Sequence, residues 1–261
     1  MKLPLAHSIL LTSTFVITGW AISQEPEFNP LGRDIPIEEL EKLLRIQVEW
    51  IEVNASEMTR LLQEEDLNKP VPQRSSNAGP LRKSLQDLIV KGEATLVETA
   101  IVTARSGQRA KVESIQEFIY PTEYDPPQIL NPEKEKGSKT VLTLPQATAF
   151  ETRNLGVTLE VDPVLGADDR TVDLNLAPEI TYLTGFESWG KHTSEGGTVE
   201  VRMPSIFTVK TTTQVTMIAG EYAFVSAMTP RNLTTGMTNP ERKIMLFLKT
   251  DLTCVGLPLE K

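Results

Sequence analysis

NLGVTLEVDPVLGADDRTVDLNLAPEIT, residues Asn154 to Thr181, decides the fold class. Val157, Leu159 and Val161 alternate with Thr158, Glu160 and Asp162, and Val172, Leu174 and Leu176 alternate with Thr171, Asp173 and Asn175. A strand turns successive side chains to opposite faces, so each run gathers its apolar groups on one side. Between the runs, Gly166-Ala167-Asp168-Asp169-Arg170 favours chain reversal. The stretch reads as an antiparallel hairpin with one apolar face and one polar face. Two neighbours are open to the apolar face: lipid, or the protein's own core.

Toward the C-terminus, Tyr182 to Met203 holds Trp189, His192 and the glycine-rich Ser194 to Gly197. Phe207, Val209, Thr211, Thr213, Val215 and Met217 then alternate with Thr208, Lys210, Thr212, Gln214 and Thr216, which predicts one long threonine-rich strand. Gly220-Glu221 turns it into a partner running from Tyr222 to Ala227. Thr229 to Arg242 is a loop. Lys243 to Thr250 (KIMLFLKT) is apolar almost throughout, as in a strand buried on both faces.

Toward the N-terminus, Thr140 to Leu144 and Ala147 to Thr152 read as strands. Tyr120 to Gly137 contains Pro121, Pro126, Pro127 and Pro132 and reads as a long exposed loop. Arg109 to Ile119 and Thr95 to Thr103 are strands joined by a turn at Arg105 to Gln108. Leu81 to Val90 is a helix closed by Gly92. Leu44 to Val53 alternates as a strand. Asn54 and Glu57 are spaced as a capping box for a helix that reaches about Glu65. Ile35 to Leu44 has helical spacing. The expected organisation is a leader at 1–23, a helix-strand-helix region at 24–67, a linker at 68–80, a β module at 81–252 and a tail at 253–261. The leader has Lys2, an apolar run from Ile9 to Trp20 and Ala21-Ile22-Ser23 as a cleavage site; a membrane anchor is the other reading of it.

Composition narrows the function. The 261-residue chain carries a net charge of −9 and no basic cluster, so a nucleic-acid partner is not expected. Cys254 is the single cysteine, which rules out an intramolecular disulfide. No apolar run after the leader has the length of a spanning helix, so bilayer insertion would require a closed β-barrel. His192, the one histidine beyond the leader, lies in a glycine-rich loop without a nucleophile elbow; a surface loop histidine outweighs a catalytic one. Asp168-Asp169 fits a turn better than calcium, and Glu64-Glu65-Asp66 fits a solvated helix end. Cys254 fits a small apolar residue better than a nucleophile. No catalytic group, metal or cofactor is expected. Trp50, Trp189, Tyr120, Tyr124 and Tyr182 are candidates for an interfacial belt or for ordinary packing.

The order of these pieces resembles the secretin family, the ring-forming outer-membrane channels of type II and type III secretion and of type IV pili. The resemblance covers roughly residues 44 to 252. Leu81 to Gln108, ending in Ser106-Gly107-Gln108, is similar to the family's entry into its shared module. Asn154 to Ala177, with Gly156 before the first strand and Pro163 after it, is similar to its strand-turn-strand. Met203 to Val225, with Ala219-Gly220-Glu221 as the turn, is similar to its late hairpin, and Ile244 to Thr250 to its closing strand. Ile46 to Val53 with the helix after it is similar to the stretch just ahead of the module.

The resemblance implies a mainly β fold with short helices, built from antiparallel amphipathic hairpins. It implies a homo-oligomeric ring that shares a barrel in the outer membrane, with secretion or pilus components as partners and no covalent chemistry. On this reading Tyr120, Pro121, Glu123, Tyr124 and Asp125 are candidates for a gate loop, with Glu133, Lys134, Glu135 and Lys136 adding mixed charge. Thr208, Lys210, Thr212, Gln214 and Thr216 are candidates for a lumen face. The chain departs from the family pattern in the several N-terminal ring domains, in V-P-x-L-G-x-I-P, where Thr229 to Thr234 stands instead, and in V-P-Y-V after Ile119. These departures favour a second reading, a soluble periplasmic protein that uses the secretin fold as an accessory or scaffold.

Overall fold

The computed structural model describes residues 40–64, 75–128, 143–194, 197–232 and 235–255. The expected leader, residues 68–74 of the expected linker, Glu65-Asp66, the charged stretch around Glu133 to Lys136 and most of the expected tail lie outside these residues.

The described chain is mainly β, with short helices. Its elements are β1 (Lys42–Asn54), α1 (Ala55–Leu62), α2 (Gly79–Lys91), β2 (Ala94–Arg105), β3 (Ala110–Asp125), β4 (Gln146–Leu165), β5 (Thr171–Ser194), β6 (Gly197–Lys210), β7 (Thr213–Ile218), β8 (Tyr222–Met228) and β9 (Arg242–Cys254). A four-stranded sheet runs β2-β1-β9-β8. A five-stranded sheet runs β3-β4-β5-β6, with β7 also on β5. Every pairing is antiparallel. The described residues close no barrel within one chain.

Two apolar layers hold the elements together. The first lies between the sheets. Leu44, Ile46, Val48 and Trp50 of β1 and Ile244, Leu246 and Leu248 of β9 meet Val157, Leu159 and Val161 of β4 and Val172, Leu174 and Leu176 of β5. All six apolar residues of the opening hairpin are buried there, so that face meets the protein's own core and not lipid. The second layer packs Leu61 of α1 and Leu81, Leu85 and Leu88 of α2 onto Ile51, Val53, Met245 and Phe247. The KIMLFLKT run is explained by its place: β9 sits between the layers and sends alternate side chains into each. Each large side chain buried in either layer stabilises the fold by about 1.5–3 kcal/mol. β1, from before the expected linker, pairs with β2 on one side and β9 on the other, so both sides of that linker share one core.

Several sequence expectations need correction. Leu43 and Leu44, expected at the end of a helix, belong to β1; Ile35 to Glu39 lie outside the described residues. Asn54 stands at the start of α1 but makes no side-chain cap; its Oδ1 accepts from Arg242, and Glu57 pairs with Arg60. Ala147 to Thr152 is continuous with the first strand of the opening hairpin, both within β4; of the strand expected at Thr140 to Leu144, Thr143 and Leu144 are not strand and the rest lies outside the described residues. His192 lies on β5 opposite Val199, not in a loop.

The long threonine-rich strand is two strands, broken at Thr211-Thr212. The cause lies across the sheet. β5 pairs with β7 up to Leu176 and with β6 from Glu179, and Pro178, which has no N–H to donate, fills the handover. The expected late hairpin does not form either: β7 stays in the five-stranded sheet while β8 pairs with β9 in the other. The chain changes sheets at Ala219 to Glu221.

Candidate functional site

Three of the four residues that resemble family positions, Gly107, Pro163 and Gly220, gather at the seams between the two sheets. The Gly107 N–H donates to the Pro163 carbonyl at 2.7 Å. Two residues on, the Leu165 N–H donates to Ser106 Oγ at 2.9 Å. These bonds tie the β2–β3 turn to the end of β4. The Gly220 N–H donates to the Thr250 carbonyl at 2.7 Å, and the Ala219 N–H to the Arg170 carbonyl at 2.8 Å, which fastens the β7–β8 crossover to both sheets. Lys42 of β1 pairs with Asp169 in the β4–β5 turn at 2.5 Å. Gly156 stands elsewhere: there β4 leaves its pairing with β5, opposite Thr181.

Beyond Gly156 and Thr181 the five-stranded sheet divides into two hairpin arms. β3 and β4 stay paired through Asp125 and Gln146, and β5 and β6 through Ser194 and Gly197. No described strand pairs with the outer edge of β3 or of β6. Each arm exposes large apolar side chains: Ile119 (63% exposed) and Phe150 (59%) on the first, Phe186 (51%) and Trp189 (72%) on the second. An open cleft of about 680 Å³ separates the arms at their base. Tyr120, Arg153 and Asn154 line it from one side, and Glu179, Thr181, Pro204 and Thr208 from the other.

Tyr120, Pro121, Glu123, Tyr124 and Asp125 are therefore strand, not loop. They continue β3 against Gln146 to Glu151, with register shifts on both sides of Glu123. β3 is an edge strand, where the missing N–H of Pro121 costs little. The Tyr120 hydroxyl donates to Glu151 at 3.1 Å.

Thr208, Lys210, Thr212, Gln214 and Thr216 are all exposed on the outer side of the sheet, while Val209 and Met217 between them face the core. Their partners extend that polar side. Thr208 bonds Thr181 at 3.1 Å, Lys210 pairs with Glu179 at 2.9 Å, and Thr216 donates to Asp173. On β3, Lys111 pairs with Glu113 at 2.8 Å; the bond holds the Glu113 carboxyl below and the Lys111 ammonium above their usual ranges.

In the β4–β5 turn, Asp168 accepts from the Thr171 hydroxyl at 2.6 Å and from the N–H groups of Thr171 and Arg170, which pulls its pKa down to about 2. Both acids of that turn thus have partners within the fold. Burial, with Glu98 and Glu52 nearby, pushes the Tyr182 phenol up to about 12. The aromatic residues do not form one belt: Trp50 is fully buried in the core, and Trp189 is far out on an arm. Among the described residues no three His, Cys, Asp or Glu side chains group to hold a metal, and no helix is long and apolar enough to cross a membrane.

The arms are what sequence reasoning missed. Their signal is faint, single large apolar residues (Phe118, Ile119, Phe150, Phe186, Trp189) in otherwise polar runs, because both faces of a free ribbon meet solvent.

No protein-family model and no curated protein sequence matches the chain. Similar solved structures include the secretin InvG of the Salmonella SPI-1 type III secretion injectisome, at 10% identity and a TM-score of 0.36, over 85% of this chain and 64% of that one. Another is the type II secretin GspD of enteropathogenic Escherichia coli, at 14% identity and a TM-score of 0.37, over 83% of this chain and 69% of that one. The type IV competence pilus secretin PilQ of V. cholerae is similar at 12% identity and a TM-score of 0.33, over 81% of this chain and 57% of that one. The chain spans under two thirds of the InvG and PilQ chains.

Proposed function

We propose that this chain is a secretin-like channel subunit, exported to the outer membrane, whose copies form a ring for protein secretion or for passage of a pilus or other fibre. The observation that carries the reading is the pair of arms. A two-stranded ribbon with open edges and exposed aromatic side chains is marginal by itself, and pairing with another copy removes the edges. β3, β4, β5 and β6 run alternately up and down, so β6 of one copy meets β3 of the next antiparallel, and repetition around a ring closes a barrel. The order of segments along the sequence supports the same reading. The polar side bearing Thr208, Lys210, Thr212, Gln214 and Thr216 then lines the water-filled lumen, and Tyr120 to Asp125 lie on the wall near its constriction. Function is passage and gating, without covalent chemistry or a cofactor. Other secretion or pilus components are its partners.

The second reading, a soluble periplasmic accessory with the secretin fold, is favoured by the opening hairpin. Its apolar face is fully used inside the molecule, so the sandwich needs no lipid. Cell fractionation followed by native mass in detergent separates the two readings. A heat-resistant ring of many copies in the outer-membrane fraction supports the channel. A monomer released by osmotic shock sinks it and leaves the accessory.

A further inference from the structure

The two arms of a single subunit touch. Phe118 of β3 and Phe186 of β5 have ring centroids 6.1 Å apart and planes tilted by 57°, a favourable aromatic geometry. Phe118 also stacks on Tyr120 at 6.1 Å, with the planes 20° apart. Both phenylalanines lie past the last β4–β5 pair, Gly156 with Thr181, where no strand pairing joins the arms. This aromatic cluster bridges two ribbons beyond the point where their strand pairing ends.

We propose that Phe118 and Phe186 form a latch that keeps the arms of an unassembled subunit closed on each other, and that the latch parts when the next copy arrives. The proposal rests on the ring-forming reading above. Two features make the contact suited to this role. It draws together the arms that carry the open edges of β3 and β6, and open edges of that length invite uncontrolled pairing. It is also weak enough to release, since Phe186 is half exposed and Phe118 only partly buried. A register shift between Leu183 and Gly185, just before Phe186, bends β5 at the base of the second arm.

The test uses the full chain with Cys254→Ser, Phe118→Cys and Phe186→Cys, bridged by a bifunctional thiol reagent that a reductant cleaves. Ring formation is followed over time by native mass in detergent. The bridged subunit is expected to stay monomeric and to assemble once the bridge is cut. Separately, Phe118→Ala and Phe186→Ala should assemble roughly two- to tenfold faster than wild type, the factor that one aromatic pair supplies. Rings that form equally fast bridged or cleaved, or alanine variants that keep the wild-type rate, overturn the latch alone. A chain that makes no ring in any form, wild type included, overturns the ring reading and the latch with it.

Discussion

At Gly156 a single hydrogen atom decides whether the first arm can leave the sandwich. The residue has φ 123°, and a Cβ there would run into the Ser114 carbonyl oxygen on β3. The obstacle is backbone inside a ladder, so nothing flexible gives way. Gly156→Ala should cost about 2–4 kcal/mol, combining backbone strain and overpacking. Urea unfolding monitored by far-UV circular dichroism would show the loss, and a change below about 0.5 kcal/mol would mean the crossing is looser than described. Asp168 carries a different kind of constraint. Its folded pKa of about 2 lies below the usual 3.8, so the stability that its charge adds is fully present above about pH 4 and is lost as the pH falls through 2. The melting-temperature gap between wild type and Asp168→Asn should therefore hold steady from pH 7 to about 5, then shrink from about pH 4 downward. A gap undiminished near pH 2 would contradict the hydrogen bonds assigned to that turn.

Among the elements, β1 and α2 share the most exacting contact. Glu49 of β1 is buried, and its carboxylate accepts from Arg82 of α2 and from Gln47 at 2.6 Å. Removing one partner leaves the other charge stranded, whereas removing both leaves an apolar site. Arg82→Leu should cost about 3–5 kcal/mol, and adding Glu49→Leu should recover most of it. A double-mutant cycle in urea reads the coupling; equal and additive losses would show that the pair is screened by solvent.

Burial sets how legible an element is in the sequence. Strands that bury one face, such as β4 and β5 over Val157 to Leu176, alternate and are legible. β9, buried on both faces, is legible as a continuous run. The outer halves of β3 and β5 expose both faces, so no periodicity marks them, and Pro121 argues for a loop where an edge strand tolerates it. The threonine run could not show its own break, because the cause, Pro178, lies on the neighbouring strand. Alternation also says nothing about which sheet a strand joins, so β7 and β8 read as partners while packing in different layers. Gly107, Pro163 and Gly220 stood out as single positions; only the structure shows that each fixes a seam.

For the whole molecule, the question is whether the part after the linker folds alone. By sequence, 81–252 is a module of its own, with 24–67 ahead of it. The packing says otherwise for β1. It occupies the second position of the four-stranded sheet, paired along its length with β2 and β9. It supplies Leu44, Ile46, Val48 and Trp50 to one apolar layer and Ile51 and Val53 to the other, all fully buried. At about 1.5–3 kcal/mol for each, their loss alone matches the whole net stability of a typical domain, about 5–15 kcal/mol. Deletion also strips the ladder from β2 and from the inner edge of β9, which leaves buried backbone groups without partners. A chain of residues 75–261 should therefore show no cooperative thermal transition, weak near-UV circular dichroism and rapid proteolysis, while residues 40–261 unfold in one step. If 75–261 melts cooperatively with a protected core, β1 is an accessory strand and the linker is a true boundary. If it does not, the strand ahead of the linker is part of the body that carries the arms, and any ring the arms build needs that strand in every copy.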